Sequence, residues 1–364
     1  MKFKSIGHFF GWILLGFNGI FAALMILCAY SPYISPTLFP VLACSGLAFP
    51  IFFIANILWL FFWVIFHRRY SLLSLVSMFI CYGAIRAYVP INLFQEAPPE
   101  NALKILSYNV MGYNKSEPHT KELPNKILAY LSTSNADIIC LQEAMFNKWG
   151  SNHLSKEIIE KEMSDYPYYL HTAGNGNAWE CFSKYPILSE KKINYSSKGN
   201  GSIAYEIKVG KDTILLINNH LESNKLTTEE KTAYRDMIID PEKQKFKNTS
   251  LQLLKKIAEA ASVRAPQADT IAKIIKNSHH KYIIACGDFN DSPISYVHHT
   301  IGENLNDAFI NSGNGIGISF NKNGFYFRID HILTSKNIKT YKCTVDKSIK
   351  TSDHYPIWSF IRLD

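Results

Sequence analysis

The run Tyr282-Ile283-Ile284-Ala285-Cys286-Gly287-Asp288-Phe289-Asn290 holds the pattern on which the rest of the chain turns. A short apolar run of this kind reads as a buried strand. It closes on a carboxylate and an amide, where side chains emerge from a sheet into a surface cleft. The pattern recurs on either side: Ile105-Leu106-Ser107-Tyr108 ends in Asn109, Ile138-Ile139-Cys140-Leu141 in Gln142-Glu143, and Ile214 to Ile217 in Asn218-Asn219-His220. Arg328-Ile329-Asp330-His331 and Ser352-Asp353-His354 complete the set. Singly, each has a plain explanation, because Asn and Asp commonly close strands into turns and a lone His is commonly a hydrogen-bonded structural residue. Six such ends, supplying carboxylates, amides and imidazoles together, point to one shared site.

Between these ends the chain alternates strand and helix signals. Leu103 to Asn109 and Asp137 to Leu141 read as strands, Glu122 to Leu131 and Leu154 to Met163 as amphipathic helices. Strand-like runs follow at Tyr168 to His171, Ile187 to Tyr195, Ile203 to Val209 and Thr213 to His220. Residues 227–277 read as mostly helical, interrupted by Pro241 and Pro266, before Tyr282 to Ala285 returns to strand. Asn323-Gly324 is a hairpin-turn dipeptide between Ile318-Ser319-Phe320 and the run from Phe325 to Leu333. A domain of about 260 residues with this mixture is large for one sheet, so the expectation is two packed sheets flanked by helices.

The ordered set Ser107-Tyr108-Asn109, Leu141-Gln142-Glu143, Asn219-His220-Leu221, Gly287-Asp288-Phe289-Asn290, Ile329-Asp330-His331 and Ser352-Asp353-His354 resembles the endonuclease/exonuclease/phosphatase superfamily. Phe182-Ser183-Lys184-Tyr185-Pro186-Ile187 and the pair Arg264 and Gln267 resemble further segments of it. The resemblance spans Leu103 to Leu363. It implies an α/β fold, a four-layered α/β sandwich with two packed mixed β-sheets. It also implies Mg²⁺-dependent hydrolysis of a phosphate ester, with Mn²⁺ or Ca²⁺ as substitutes.

By the same resemblance, Glu143 is the principal metal ligand, with Asp353 and Asn109 beside it; hard carboxylate oxygens suit a hard cation. His354 is the catalytic histidine and Asp330 holds its imidazole, while Asp288 and Asn290 orient the attacking water and the scissile phosphate. His220 contacts the phosphate. Whether Asp288 or His354 takes the water's proton stays open at this level. Some members have an acid two positions after the first Asn; Met111 stands there instead, a thioether with little affinity for Mg²⁺. That departure speaks against a close abasic-endonuclease relationship, whereas Glu143, Asp288 and His354 are all in place. The implied activity is that of a phosphodiesterase or nuclease. A phospholipid or sphingomyelin head-group phosphodiesterase, and a non-catalytic binding module, are the alternatives.

The first 95 residues have another character. Their only charges are Lys2, Lys4, Arg68, Arg69 and Arg86, so five units of the formal +8 lie beside apolar runs and the remaining residues are nearly balanced. A basic nucleic-acid-binding surface is therefore not what the net charge indicates. Residues 9–30, 38–66 and 71–89 are each near or above the roughly 20 residues that a membrane-crossing helix needs. The expectation is three transmembrane α-helices in a membrane anchor over residues 1–90, a short Pro-rich linker over 91–102, and the catalytic domain over 103–364. Pro40 and Pro50 make the second span the irregular one. The first apolar run is longer than the roughly 7 to 15 residues of a signal-peptide core. By the positive-inside rule the N-terminus and the Arg68-Arg69 loop are cytoplasmic and the catalytic domain is extracytoplasmic, with Arg86 snorkelling at the outer interface. The expected partners are the membrane and a phosphate-ester substrate, nucleic acid or lipid head group; no protein partner is expected.

Other features read more plainly. Cys140 and Cys286 are small buried hydrophobes, leaving Cys181 and Cys343 as disulfide candidates that sequence cannot pair. His279-His280 and His298-His299 read as exposed polar side chains, for want of further ligands at suitable spacing. Residues 222–262, rich in Lys and Glu, read either as a substrate-selecting lobe or as a solvated helical excursion.

Overall fold

The computed structural model describes every residue except 1, 115–116, 118, 121, 147–153, 175, 228, 231, 233–242 and 323, and leaves the side chains of 2–9 and 243–248 undescribed. Asn323, Pro241, Lys231 and Arg235 thus lie outside the described residues.

The front end consists of α1 (Lys2–Ala29), α2 (Pro40–Ala43), α3 (Phe49–Phe66), α4 (Ser71–Ile80) and α5 (Tyr82–Tyr88). Two stretches, Phe10–Ala29 and Pro40–Phe66, are long and apolar enough to cross a membrane. The third expected span is two helices bent by 69° between Ile80 and Tyr82, so it counts as a crossing only if the pair forms one. Hydropathy registers the run but not its change of direction, beside Gly83. Within the second stretch, α2 and the 3₁₀ turn Cys44–Ala48 precede α3, with Pro40 and Pro50 each in the first turn of an α-helix where no amide hydrogen is missed. The helices turn their polar groups inward. Trp63 Nε1 donates to Asn18 Oδ1 (3.0 Å), Asn18 Nδ2 to Ser74 Oγ (3.1 Å) and Asn56 Nδ2 to the Phe21 carbonyl (3.1 Å).

Fourteen strands follow among the described residues. They are β1 (Leu103–Asn109), β2 (Ile138–Gln142), β3 (Tyr168–Ala173), β4 (Ala178–Ser183), β5 (Ile187–Ile193), β6 (Gly201–Val209) and β7 (Asp212–His220). After these come β8 (Tyr282–Asp288), β9 (Leu305–Asp307), β10 (Phe320–Lys322), β11 (Phe325–Phe327), β12 (Asp330–Ser335), β13 (Ile338–Val345) and β14 (Ile357–Leu363). Twelve form two six-stranded sheets, ordered β13-β14-β1-β2-β4-β3 and β5-β6-β7-β8-β12-β9, and β10 and β11 pair as a separate ribbon. Each sheet is mixed, with one parallel pair at its centre, β1 with β2 and β7 with β8.

The sheets pack face to face over Ile105, Cys140, Ile203, Leu216, Ile284 and Ile357, a core buried from both sides. Their outer faces are covered by helices. α6 (Lys126–Thr133) and α7 (Lys156–Glu162) lie on the first sheet; α8 (Lys243–Asn277) and α9 (Tyr296–Gly302) lie on the second, with α10 (Ala308–Ser312) beside it. Asn125 and Ser155 cap α6 and α7, their side chains accepting the free amides of Ile127, Leu128 and Ile158, which starts each helix later than the apolar pattern alone suggests. Against expectation, α8 runs straight through Pro266. A proline there costs about 3 kcal/mol, offset by the burial of Ala261, Ala265, Ala268 and Ile271 along the same helix.

All seven cysteines are free and buried, Cys181 and Cys343 included. Cys181 lies opposite Cys140 across β2 and β4, inside the sheet-to-sheet core.

Candidate active site

Parallel strands deliver their carboxyl ends to one edge, and that edge carries the site. Asn109 ends β1, Glu143 follows β2, His220 ends β7 and Asp288 ends β8. β12 and β14 run antiparallel to these, so their amino-terminal ends arrive at the same edge: Asp330 sits opposite Asp288 in the ladder, and His354 lies just before β14. The sequence-expected residues Glu143, His220, Asp288, Asn290, Asp353 and His354 line one pocket of about 260 Å³, with Asn109 and Asp330 buried directly behind it.

Backbone chemistry explains the residue types at two of these ends. Gly287 has φ 126°, and a Cβ there would lie 2.0 Å from the carbonyl oxygen of Asn219, its partner in the β7–β8 ladder. Only glycine allows the two strands to approach so closely before Asp288. Glu143 and Asn290 leave their strands with φ of 53° and 52°, the left-handed region, which turns both side chains out of the sheet at its edge.

The polar groups interlock. Asn109 Nδ2 donates to Glu143 Oε1 and to Asp288 Oδ2, both at 3.1 Å, bridging one sheet to the other. His354 Nδ1 lies 2.8 Å from Asp330 Oδ2, and its Nε2 lies 3.6 Å from Asp288 Oδ2. His220 Nε2 is 3.6 Å from Asp288 and 3.7 Å from Glu143. Asn290 Nδ2 donates to the Leu221 carbonyl (3.0 Å) and its backbone amide to Asp288 Oδ1 (2.8 Å), fixing the turn that carries Asp288.

The charges follow from this packing. Burial alone would push the His354 imidazole down, but the Asp330 and Asp288 carboxylates outweigh it and hold His354 up at about 10. Burial, seconded by Asp330, raises Asp288 above the usual carboxylate value against the pull of His354. Burial, seconded by the nearby His354, lowers His220.

The metal that the resemblance implies calls for hard oxygen donors. Glu143 and Asp353 supply carboxylates on the pocket wall, with side chains 32% and 17% exposed, so the donor set fits such an ion. Asn109 presents its amide nitrogen to Glu143 and turns its oxygen to the Met111 amide (3.2 Å), holding the carboxylate in place. Where Met111 replaces an acid, its sulfur lies 3.9 Å from Lys322 Nζ, which in turn lies 3.1 Å from Asp353. Lys322 thus brings an ammonium to this side of the site.

Several participants escaped sequence reading. Asn177 Nδ2 donates to His220 Nδ1 (2.7 Å), leaving the Nε2 hydrogen facing Asp288 and Glu143; nothing in its Asn-rich loop distinguishes it beforehand. Lys322 is carried in by the β10–β11 ribbon, and Phe320 of that ribbon packs edge-on to His354 at 5.0 Å. Arg264 and Gln267, noted in sequence, prove to be fasteners. Arg264 is buried against Asp291 (3.3 Å), the Glu222 carbonyl (2.9 Å) and Asn224 (2.8 Å), and Gln267 accepts from the Glu222 amide (3.0 Å). Together they pin the loop after His220.

One surface expectation is corrected. His298 is buried beneath α9, 2.8 Å from Asp307, and His331 completes the group; the strand pairing of β9 with β12 brings Asp307 there, which sequence spacing does not reveal. Despite its burial, the hydrogen-bonded His298 imidazole, with His331 at 3.8 Å beside it, holds Asp307 well below the usual carboxylate value.

Comparison with known proteins adds two family models. One described as a domain of unknown function, DUF8431, matches residues 11–88, and that of the endonuclease/exonuclease/phosphatase family matches residues 106–354. No curated protein matches the chain. Among solved structures, Danio rerio TDP2 complexed with single-strand DNA product is 15% identical, covering 72% of this chain and 100% of its own, with a TM-score of 0.50. An endonuclease/exonuclease/phosphatase family protein from Bacteroides thetaiotaomicron is 15% identical over 74% of this chain and 100% of its own, TM-score 0.50. A protein of that description from Beutenbergia cavernae is 13% identical over 72% of each chain, TM-score 0.50. At these identities the likeness establishes the fold, and with a family model matching over two thirds of its length, the chain belongs to the endonuclease/exonuclease/phosphatase family.

Proposed function

We propose that the chain is a membrane-anchored, Mg²⁺-dependent hydrolase of phosphate diesters. The observation that carries this reading is the convergence of Glu143, His220, Asp288, Asn290, Asp353 and His354 on one pocket at the strand ends. Glu143 and Asp353 would hold the ion, with Mn²⁺ or Ca²⁺ as substitutes. When bound, the metal supplies positive charge to the phosphate oxygens as negative charge develops on them.

The chain's own residues do the rest. His220 and Asn290 orient the phosphate. Asp288, raised by burial, accepts the proton of the attacking water as its oxygen bonds to phosphorus. The bond from phosphorus to the leaving oxygen breaks, and His354, cationic at neutral pH, gives that oxygen its Nε2 proton. Asp330 keeps the imidazole ring aimed, and the 3.6 Å between His354 and Asp288 allows the proton to return and reset the site.

The same reading divides the chain into an anchor over residues 1–90, a linker over 91–102 and a catalytic domain over 103–364. The bent pair α4 and α5 counts as the third crossing, the N-terminus is cytoplasmic and the catalytic domain extracytoplasmic. A reporter that is active only in the cytoplasm, fused after Val89, stays silent if this orientation holds; activity reverses it.

For substrate, a nucleic-acid strand and a lipid head group are the two competing readings. A panel on the full chain in detergent, with single- and double-stranded DNA, RNA, sphingomyelin and phosphatidylcholine, each with Mg²⁺ and with chelator, tests the activity. Metal-dependent turnover of at least one substrate is the expected result. Absence of turnover across the panel and across metals retires the enzyme in favour of a binding module.

A further inference from the structure

The pocket that holds the catalytic groups is not made by the catalytic domain alone. Pro36, Ala43, Cys44 and Leu47, all from the connection between α1 and α3, form one of its walls. Ile257 and Ala261 from α8 pack beside this wall, and Phe320, Phe325 and Phe327 from the ribbon region also line the pocket. The N-terminal wall is fastened in place. Cys44 packs on Ala258 and Ala261, and Ser262 Oγ donates to the Pro36 carbonyl at 2.9 Å. Gly46 approaches so closely that a Cβ would lie 2.6 Å from the Ile294 carbonyl. Farther round, Arg328 donates to the Ala87 carbonyl and the Gly315 amide to that of Pro90 (3.0 Å).

This lining is poorly matched to a polyanion. Nucleic-acid binding depends on cations free to meet successive phosphates. Among the described residues, the Lys and Arg side chains lining the pocket are Lys225 and Arg264, and each is already paired, with Glu222 at 2.9 Å and Asp291 at 3.3 Å. It is well matched to a molecule polar at one end and apolar at the other. The same N-terminal connection carries the exposed Leu38, Phe39 and Val41, so the apolar wall continues toward the helices read as membrane spans.

We propose that the substrate is an amphiphilic phosphodiester of the bilayer, its phosphate over Glu143, Asp288 and His354 and its apolar body along the wall made by Ala43, Cys44, Leu47 and Ile257. The proposal rests on the phosphodiesterase reading and names its substrate class. Leu47 and Ile257 are specificity residues with no part in the chemistry, which is why one connection of the anchor reaches into a hydrolase pocket.

The test uses the full chain in neutral detergent micelles with Mg²⁺ and two diesters sharing one leaving group, methyl p-nitrophenyl phosphate and hexadecyl p-nitrophenyl phosphate. The expected kcat/KM is higher for the hexadecyl ester by about tenfold or more, the scale on which apolar pockets discriminate. Leu47→Asp and, independently, Ile257→Asp lower the ratio of hexadecyl-ester to methyl-ester kcat/KM by about tenfold, with unchanged circular dichroism reporting an intact fold. Equal kcat/KM for the two esters, wall variants that lower both alike, or faster cleavage of a single-stranded oligonucleotide than of the hexadecyl ester overturns the proposal and leaves the phosphodiesterase reading standing. If neither ester nor the oligonucleotide is turned over by the wild-type chain, the phosphodiesterase reading itself falls, and the proposal with it.

Discussion

The helical front end and the two-sheet domain are built on opposite plans. In the sheets, apolar side chains fill the space between layers and polar chemistry is gathered at one edge. In the helices, Asn18, Asn56, Trp63 and Ser74 hydrogen-bond at the centre while Ile51, Ile65 and Phe79 face outward, the last 83% exposed. On the proposed membrane-anchored reading, the difference reflects the solvent each part is made for. Burying a polar network in a water-soluble bundle brings no gain over an apolar core, but in hydrocarbon the outward face is already at home and interhelical hydrogen bonds provide the specific association. Where the two plans meet, the front end contributes a wall to the other's pocket, and the boundary becomes part of the site.

The comparison can be broken at several points. The largest effect is expected at the polar edge. Glu143→Ala and His354→Ala should each lower diester hydrolysis by about 10³-fold, measured as kcat/KM, with unchanged circular dichroism. A loss below tenfold would mean that the edge is not where the chemistry occurs. Gly287→Ala places a Cβ 2.0 Å from the Asn219 carbonyl, so thermal unfolding of the full chain should show a loss of about 3 kcal/mol or more.

Asp307→Asn probes the buried His298, Asp307 and His331 group. Because the folded-state value of Asp307 is depressed, its stabilisation is fully present above the ordinary carboxylate value and disappears as pH falls through the depressed one. The variant should therefore lose about 2–3 kcal/mol at neutral pH and converge with wild type in acid. An identical gap at every pH would show that Asp307 acts by packing alone.

Smaller effects sharpen the contrast between the two interiors. Gln142 donates to Asn218 (2.7 Å) across the sheet interface and to Ser107 (3.1 Å) on the neighbouring strand, so Gln142→Leu leaves acceptors stranded and should cost about 1–3 kcal/mol. Asn18→Leu removes the hydrogen bonds to Trp63 and Ser74 among the helices but in apolar surroundings, where such bonds contribute about 0.5–1.5 kcal/mol each. If Asn18→Leu proved the costlier change, the helices would not be the lipid-facing part.

How far these features were legible in the sequence depended on whether they were local. Strand ends were readable because an apolar run that closes on Asn, Glu or Asp states both burial and emergence within a few residues. β1 ends at Asn109 and β7 at His220, where the pattern puts them. Strand order was not readable, because nothing in β9 announces that its pairing with β12 will bring Asp307 within 3.8 Å of His331. Asn177, Lys322 and Leu47 reach the site through pairing and packing set tens or hundreds of residues away, and each is unremarkable in its own segment. β4, β13 and β14 were missed for a related reason: their burial is supplied by neighbours, so Trp179 and Glu180 both lie inside despite a polar neighbour pattern. The bend between α4 and α5 is a change of direction within an unbroken apolar run, to which composition is blind.

The most direct measurement is hydrolysis of bis(p-nitrophenyl) phosphate by the purified full chain, followed with Mg²⁺, after chelation, and with Mg²⁺ restored, beside the Glu143→Ala variant. The account predicts turnover that stops with chelator, returns with the metal and is absent in the variant. Turnover indifferent to chelator, or equal in wild type and Glu143→Ala, would contradict it.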